Sequence, residues 1–290
     1  MSRREMDRRE FIRKAAVLAA GAAVPGFLAS CFRDSRGNPA KGRIPIGVQL
    51  YSVRDDCEKD FPGTMAAVAK AGYAGIEYAG YYGRSASDLR KMQDDRGLKC
   101  CGSHIGLDQL SPENLNATMD FHATIGNRFL VVPWMDEKYR KDKAAWLDAA
   151  RMYNEVAEKV KARGFTVGYH AHAQEFEKYD GEVGWDILAG AVNPGFCMQM
   201  DTGNCLSGGG DPVAHLKRHP GKALTVHLKD YSNTVKDPLL GEGDVKWNEV
   251  FGVCETTGGT QWYIVEQEGY RFPPVECVAK CLENLRKMGK

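Results

Sequence analysis

A chain of 290 residues with 43% hydrophobic content can bury a large core, and it is long enough for one large domain or two small ones. With 39 basic against 38 acidic residues and a formal net charge of +1, it has no surplus charge with which to neutralise a polyanion. That balance argues against a nucleic-acid partner.

The amino-terminal residues differ from the rest. Residues 1–14 are arginine-rich, with Arg8 and Arg9 followed by Glu10, Phe11 and Ile12, and Ala15 to Val24 form a weakly apolar run too short to span a bilayer. This order of basic, apolar and small-residue segments is that of an export signal, and the paired arginines resemble the twin-arginine type. It is followed by LASC, which looks like a bacterial lipobox with Cys31 as the lipidated residue. The alternative is an amphipathic helix with an incidental cysteine. Acyl burial contributes about 0.8 kcal/mol per methylene, so a lipid on Cys31 would tether an exported, periplasmic protein without a membrane span. Residues 32–43, polar and rich in Gly and Pro, read as a linker. The eight cysteines beyond Cys31 form no zinc-type CxxC pair and read as buried thiols. Export permits a disulfide, but the spacing identifies none.

From residue 44 onward, apolar or β-branched runs alternate with segments of helical spacing. The runs are IPIGVQLYS, GYAGIEYAG, LKCCGSHIG, NRFLVVPW, GFTVGYHAH, GFCMQMDTG, KALTVHLKD and TQWYIVEQE. Between them, helices are predicted over Phe61–Ala71, Ser85–Arg96, Glu113–Ile125, Lys143–Arg163, Trp185–Val192, Pro212–His219, Trp247–Thr256 and Pro274–Met288. Eight strands alternating with eight helices predict an α/β fold, a closed (β/α)8 barrel of the TIM type forming one catalytic domain over residues 44–290. An open doubly wound sheet is the rival, but no Gly-rich phosphate turn follows the first strand.

In such a barrel the active site lies at the carboxyl ends of the strands. The fifth strand runs into His170, His172 and Glu175, the sixth ends in Asp201 with Asn204 beyond, the seventh carries His227 and Lys229, and the eighth ends in Glu266. Successive intervals from Glu175 of 26, 26 and 39 residues each hold one βα unit. Alternation puts Thr225, His227 and Lys229 on one face and Val226 and Leu228 on the other. Glu175, Asp201, His227 and Glu266 would form an oxygen-rich set for one divalent ion. Mn²⁺ is the first expectation, Mg²⁺ and Co²⁺ also fit, and Zn²⁺ would be accepted. Without a cation, three facing carboxylates would be driven to protonate.

The motifs GVQLYSVRD, GYAGIEYAG, GSHIGL, YHAHAQEF, MDTGN, VHLKD and WYIVEQE, in this order, resemble the xylose isomerase-like sugar isomerase/epimerase superfamily over about residues 44–288. The resemblance implies that Glu175, Asp201, His227 and Glu266 bind the metal and that Glu175 and Glu266 act as acid and base on opposite faces of a sugar. Where relatives read His-Asn-His, this chain has His170-Ala171-His172; Ala171 points away from the barrel axis, so the altered residue is not a ligand position. The chemistry expected is proton abstraction beside a carbonyl, giving isomerisation or epimerisation of a non-phosphorylated sugar. The runner-up is elimination from a 3-keto-glycoside, with His104, His172 or Lys229 as the acid for the leaving group. A tethered metal- or sugar-binding protein without turnover and a repair endonuclease are the remaining readings.

Each flanking residue also has a structural reading. His104 is either a barrel histidine or a substrate contact. His170, deeper in its strand than His172, reads as structural, with substrate contact the alternative. Lys229 could simply pair with Asp230 or Glu266. Trp134 could be core or a sugar-stacking wall. Glu77 and Gln49 have inward parity and could bind substrate or only complete the barrel's polar network. His215 and His219 are expected on the surface of a helix.

Overall fold

The computed structural model describes residues 43–290; the expected export signal, Cys31 and residues 32–42 of the linker lie outside the described residues. Eight parallel strands close in the order β1-β8-β7-β6-β5-β4-β3-β2. They are β1 (Ile46–Gln49), β2 (Gly75–Tyr78), β3 (Lys99–His104), β4 (Phe129–Val132), β5 (Thr166–His170), β6 (Cys197–Asp201), β7 (Thr225–Leu228) and β8 (Trp262–Val265). A two-stranded hairpin of Lys178–Tyr179 and Glu182–Val183 sits in the loop after β5.

Alternation along the strands divides the interior into layers. Outward-facing Val48, Ile76, Leu130, Val132, Val167, Tyr169, Met198, Val226, Leu228 and Val265 pack with the helices in one continuous cluster. Inside the barrel, Phe129, Val131 and Cys197 form a small apolar plug packed by Leu224 and Trp262. Above the plug the inward residues become polar. This is the level that carries the chemistry.

The helices are α1 (Arg54–Ala71), α2 (Ala86–Asp94), α3 (Leu115–Thr124), α4 (Lys143–Lys161), α5 (Gly184–Ala191), α6 (Thr202–Ser207), α7 (Pro212–Arg218), α8 (Trp247–Val253) and α9 (Pro274–Lys287). Helix α1 starts earlier than predicted because a short helical segment precedes a break at Asp60, where φ is −151°. The Asp60 carboxylate then accepts from the Gly63 N–H at 3.0 Å, capping the second segment at the point the sequence indicates. Seven of the eight described cysteines are buried, Cys100 is half-buried, and all eight are free thiols.

His215 and His219 are not surface residues. The Asp186 carboxylate on α5 meets His215 Nδ1 at 2.9 Å and His219 Nε2 at 2.8 Å, and it also pairs with Arg218. The helical pattern of α7 could not show an acid contributed by another helix. Burial works against the Asp186 anion, but these partners hold its pKa well below the ordinary carboxylate value. A depressed carboxylate contributes stability above its unfolded pKa, near 3.9, and loses it as pH falls toward the folded value. Asp186→Asn should therefore lower stability by about 2 kcal/mol at pH 7. In urea melts the gap to wild type should narrow steadily below about pH 4; a gap independent of pH would show that the carboxylate charge is not what clamps the helices.

Candidate active site

Glu77 on β2 organises the polar layer. It is fully buried and accepts hydrogen bonds from Gln49 Nε2 at 2.8 Å, Gln199 Nε2 at 2.9 Å and His227 Nε2 at 2.5 Å, with His104 Nε2 at 3.2 Å. Room for the carboxylate comes from the neighbouring strand: a Cβ on Gly102 would collide with Glu77 Oε1, beside a register shift between β2 and β3. Burial raises the Glu77 pKa, but His104 and His227 outweigh it and the net shift is downward. Gln199 on β6 joins the layer around the ring. It donates to Thr225 Oγ1 at 2.8 Å, and its Oε1 is 2.8 Å from His104 Nε2 and 3.0 Å from His170 Nδ1.

Above this layer His170, Asp201, His227 and Glu266 converge, each offering a ligand atom within 4.8 Å of the others. All four are buried. His227 is held at both nitrogens, by Glu77 at Nε2 and by Glu266 at Nδ1. Burial would lower its pKa, but the two carboxylates raise it to about 10. Burial also pushes Asp201 up to about 7, against the opposing pull of Lys229. Glu266 goes the other way, as Lys229 and His227 overcome its burial and hold it well below the usual carboxylate range. Asp201 Oδ1 accepts from the Asn204 N–H at 2.7 Å, while its Oδ2 is buried without a partner, 4.0 Å from His227 Nδ1.

A buried, unpartnered carboxylate oxygen facing two imidazoles and a second carboxylate suits a divalent cation. The donors are two nitrogens and two carboxylates, the Glu77–His227 hydrogen bond fixes the imidazole as an outer carboxylate does in metal–histidine sites, and a positive ion would offset the crowded negative charge. His170 binds Gln199 through Nδ1, which leaves its other nitrogen for the cluster.

The sequence placed Asp201, His227 and Glu266 together, and so does the structure. Glu175, expected as a ligand, stands apart from that cluster. It lies on a 3-10 turn, Ala173–Phe176, where one oxygen accepts from the Tyr169 hydroxyl at 2.8 Å and the other from the His172 N–H at 2.7 Å. Tyr169 points outward onto Trp146 and Tyr153 of α4, so Glu175 is held in the layer between barrel and helices. Burial, the largest influence, raises its pKa. His170, read as structural, takes the fourth corner.

The flanking groups crowd the same opening. His172 packs against His170 with ring centroids 4.8 Å apart, and its Nδ1 is buried without a partner. Burial pushes its pKa down to about 4, so the ring is neutral at pH 7. Lys229 Nζ donates to Asn204 Oδ1 at 3.1 Å, pairs with Glu268 and lies 3.7 Å from Glu266 Oε1. Burial opposes its charge, yet Asp201, Glu266 and Glu268 raise its pKa overall. Asp230, offered as a partner for Lys229, instead accepts from the N–H groups of Tyr231, Gly241 and Gly243 and from Trp247 Nε1. It thereby ties down the loop between β7 and α8. His104 stacks on His227 at 5.2 Å. Trp134 is 51% exposed, with its edge toward the His172 ring at 5.7 Å. Gln199 and Thr225 were not anticipated as site residues, although Gln199 shares inward parity with Asp201.

Residues 65–288 match the family model described as xylose isomerase-like TIM barrel. The chain belongs to that family. Among curated proteins this xylose isomerase-like barrel is similar to the rhizopine catabolism protein MocC of Rhizobium meliloti, 24% identical over 77% of this chain and 80% of that protein. It is also similar to the inosose dehydratase of Erwinia tasmaniensis, 22% identical over 79% of this chain and 90% of that protein. A solved sugar phosphate isomerase/epimerase from Parabacteroides distasonis superposes on the barrel with a TM-score of 0.73 and 24% identity, covering 86% of this chain and 96% of that one.

Proposed function

We propose that this protein removes the proton next to the carbonyl of a sugar or cyclitol ketone, with a divalent cation held by His170, Asp201, His227 and Glu266. The observation that carries the reading is the convergence of those four buried side chains around an unpartnered Asp201 oxygen. When bound, such a cation would polarise the ketone oxygen and acidify the adjacent C–H. The chain's own groups then supply the proton traffic. His172, packed on His170 beside the cluster, is the group placed to accept a proton. Lys229, 3.7 Å from Glu266, is placed to donate one.

The outcome after proton removal depends on the second group. Epimerisation by two opposed glutamates needs Glu175 at the cluster, and Glu175 is committed to Tyr169 and His172. A neutral acceptor and an ammonium donor suit loss of a β-hydroxyl, the reaction named for the inosose dehydratases. We therefore place dehydration or related elimination first. Epimerisation or isomerisation is the second reading, favoured by the likeness to the sugar phosphate isomerase/epimerase. Incubating Mn²⁺-loaded protein with inososes, ketohexoses and 3-keto-glycosides in deuterated water tests both. Elimination predicts a product lacking the β-substituent, whereas an intact ketose epimer with deuterium at the stereocentre selects the second reading. Neither an elimination product nor deuterium beside the carbonyl of any substrate would reject proton abstraction.

A further inference from the structure

Among the described residues the exposed large hydrophobic side chains are Tyr51, Trp134, Val235 and Phe272. Isolated exposed apolar residues are ordinary. Their placement here is not scattered: Tyr51 follows β1, Trp134 follows β4, Val235 follows β7 and Phe272 follows β8, so all four lie in βα loops on the face of the site. The outer faces of the helices and the opposite end of the barrel carry none of them.

Each exposed ring also has a cation against it. The Arg54 guanidinium lies 4.3 Å from the Tyr51 centroid, that of Arg140 5.3 Å from Trp134, and Lys280 Nζ 4.7 Å from Phe272. A cation on a ring restrains the ring and leaves its other surface available. Two of the rings connect to the ligand cluster. Trp134 meets His172, which packs on His170. The Tyr51 N–H donates to Gln49 Oε1, and Gln49 holds Glu77, the partner of His227. Strands β1 and β4 are separated by two strands on one arc and four on the other, so the two rings stand on different sides of the mouth.

We propose that this rim is a subsite for a flat apolar group, an aromatic aglycone or its equivalent, carried by the ring whose polar edge occupies the cluster below. The chemical class is then an aryl-substituted keto-sugar or cyclitol and not a free monosaccharide. This proposal rests on the sugar-type reading above. The floor offers charged and hydrogen-bonding groups that match hydroxyls and a carbonyl, while the rim offers restrained aromatic surface that such a polar ring, seated on the floor, leaves uncovered.

The test separates binding from turnover. Phenyl β-glucoside and methyl β-glucoside, which carry no ketone, are titrated calorimetrically into the Mn²⁺-loaded full chain. The phenyl compound should bind roughly tenfold more tightly, the factor expected of one or two aromatic contacts. The preference should fall to near unity in Trp134→Ala with Tyr51→Ala and be largely restored in Trp134→Phe with Tyr51→Phe. Because both side chains are exposed, these variants should melt close to wild type. Equal affinities in the wild type, or a preference untouched by the substitutions, would overturn the subsite. So would a change in sedimentation without a change in preference, which would make the rim an interface between copies of the chain. Aryl preference with neither elimination product nor deuterium exchange on any ketone would instead refute the proposed reaction and leave the subsite standing.

Discussion

Glu266→Gln should remove most of the stabilisation conferred by a divalent cation and lower turnover severely. Replacing a partner of a ligand typically costs 10- to 100-fold in metal affinity, so loss of the ligand charge should cost at least about 100-fold. With cation at about 100 times the wild-type Kd, binding stabilises the native state by roughly 2.7 kcal/mol, and a 100-fold weaker site retains only about 0.4 kcal/mol. For a domain of this size the wild-type gain is on the order of 5–10 °C in Tm, and that of the variant roughly 1 °C. Glu175→Gln is the informative comparison, because Glu175 binds Tyr169 and the His172 N–H and does not join the cluster. It should keep the full cation-dependent shift. Thermal melts with and without Mn²⁺ check both variants, and loss of the shift in Glu175→Gln would return that residue to the ligand set.

Glu77→Gln should have a comparably large effect through a different route. The native carboxylate accepts from Gln49, Gln199 and His227. An amide placed there turns one of its two acceptor positions into a donor facing donors, in a pocket that Gly102 keeps just large enough. Leaving such buried groups unsatisfied costs about 3 kcal/mol, a fall in Tm on the order of 10 °C. Metal affinity should also weaken 10- to 100-fold, because His227 would lose the group that fixes its ring. The two effects are measured separately, by melting the metal-free protein and by titrating the metal. A stable variant with unaltered affinity would make Glu77 a bystander in the polar layer.

The polar cluster was readable in the sequence wherever the ladder itself sets side-chain direction. Thr225, His227 and Lys229 alternate with Val226 and Leu228 along β7, and the structure puts the first set at the polar level and the second in the outer core. Asp201 and Glu266 obey the same rule at the ends of β6 and β8. Beyond the last ladder residue the rule lapses. Glu175 is five residues past His170, on a 3-10 turn whose own N–H recruits the carboxylate. Spacing from strand to strand could not reveal that local competition. His170 has inward parity, but depth alone does not separate a wall residue from a ligand. What places it in the cluster includes the contact of its Nδ1 with Gln199, a residue 29 positions away. The barrel was legible, since each apolar run became a barrel strand and each predicted helix overlaps an observed one, while the early start of α1, helix α6 and the hairpin after β5 were not read.

The barrel begins and ends away from its mouth. The Tyr263 N–H at the start of β8 donates to the Pro45 carbonyl. At the other end Arg286 reaches the carbonyls of Ala71 and Gly72, and Lys290 pairs with Glu255 just past α8. The four clustered side chains and, among the described residues, the exposed rings of Tyr51, Trp134 and Phe272 belong to strand ends or loops at the other pole. A solid support coupled through residue 43 or residue 290 would therefore hold the molecule by its base, with the catalytic opening turned toward the surrounding liquid. Biosensor surfaces and flow reactors that hold the barrel through residue 290 should need no spacer there to keep the opening accessible.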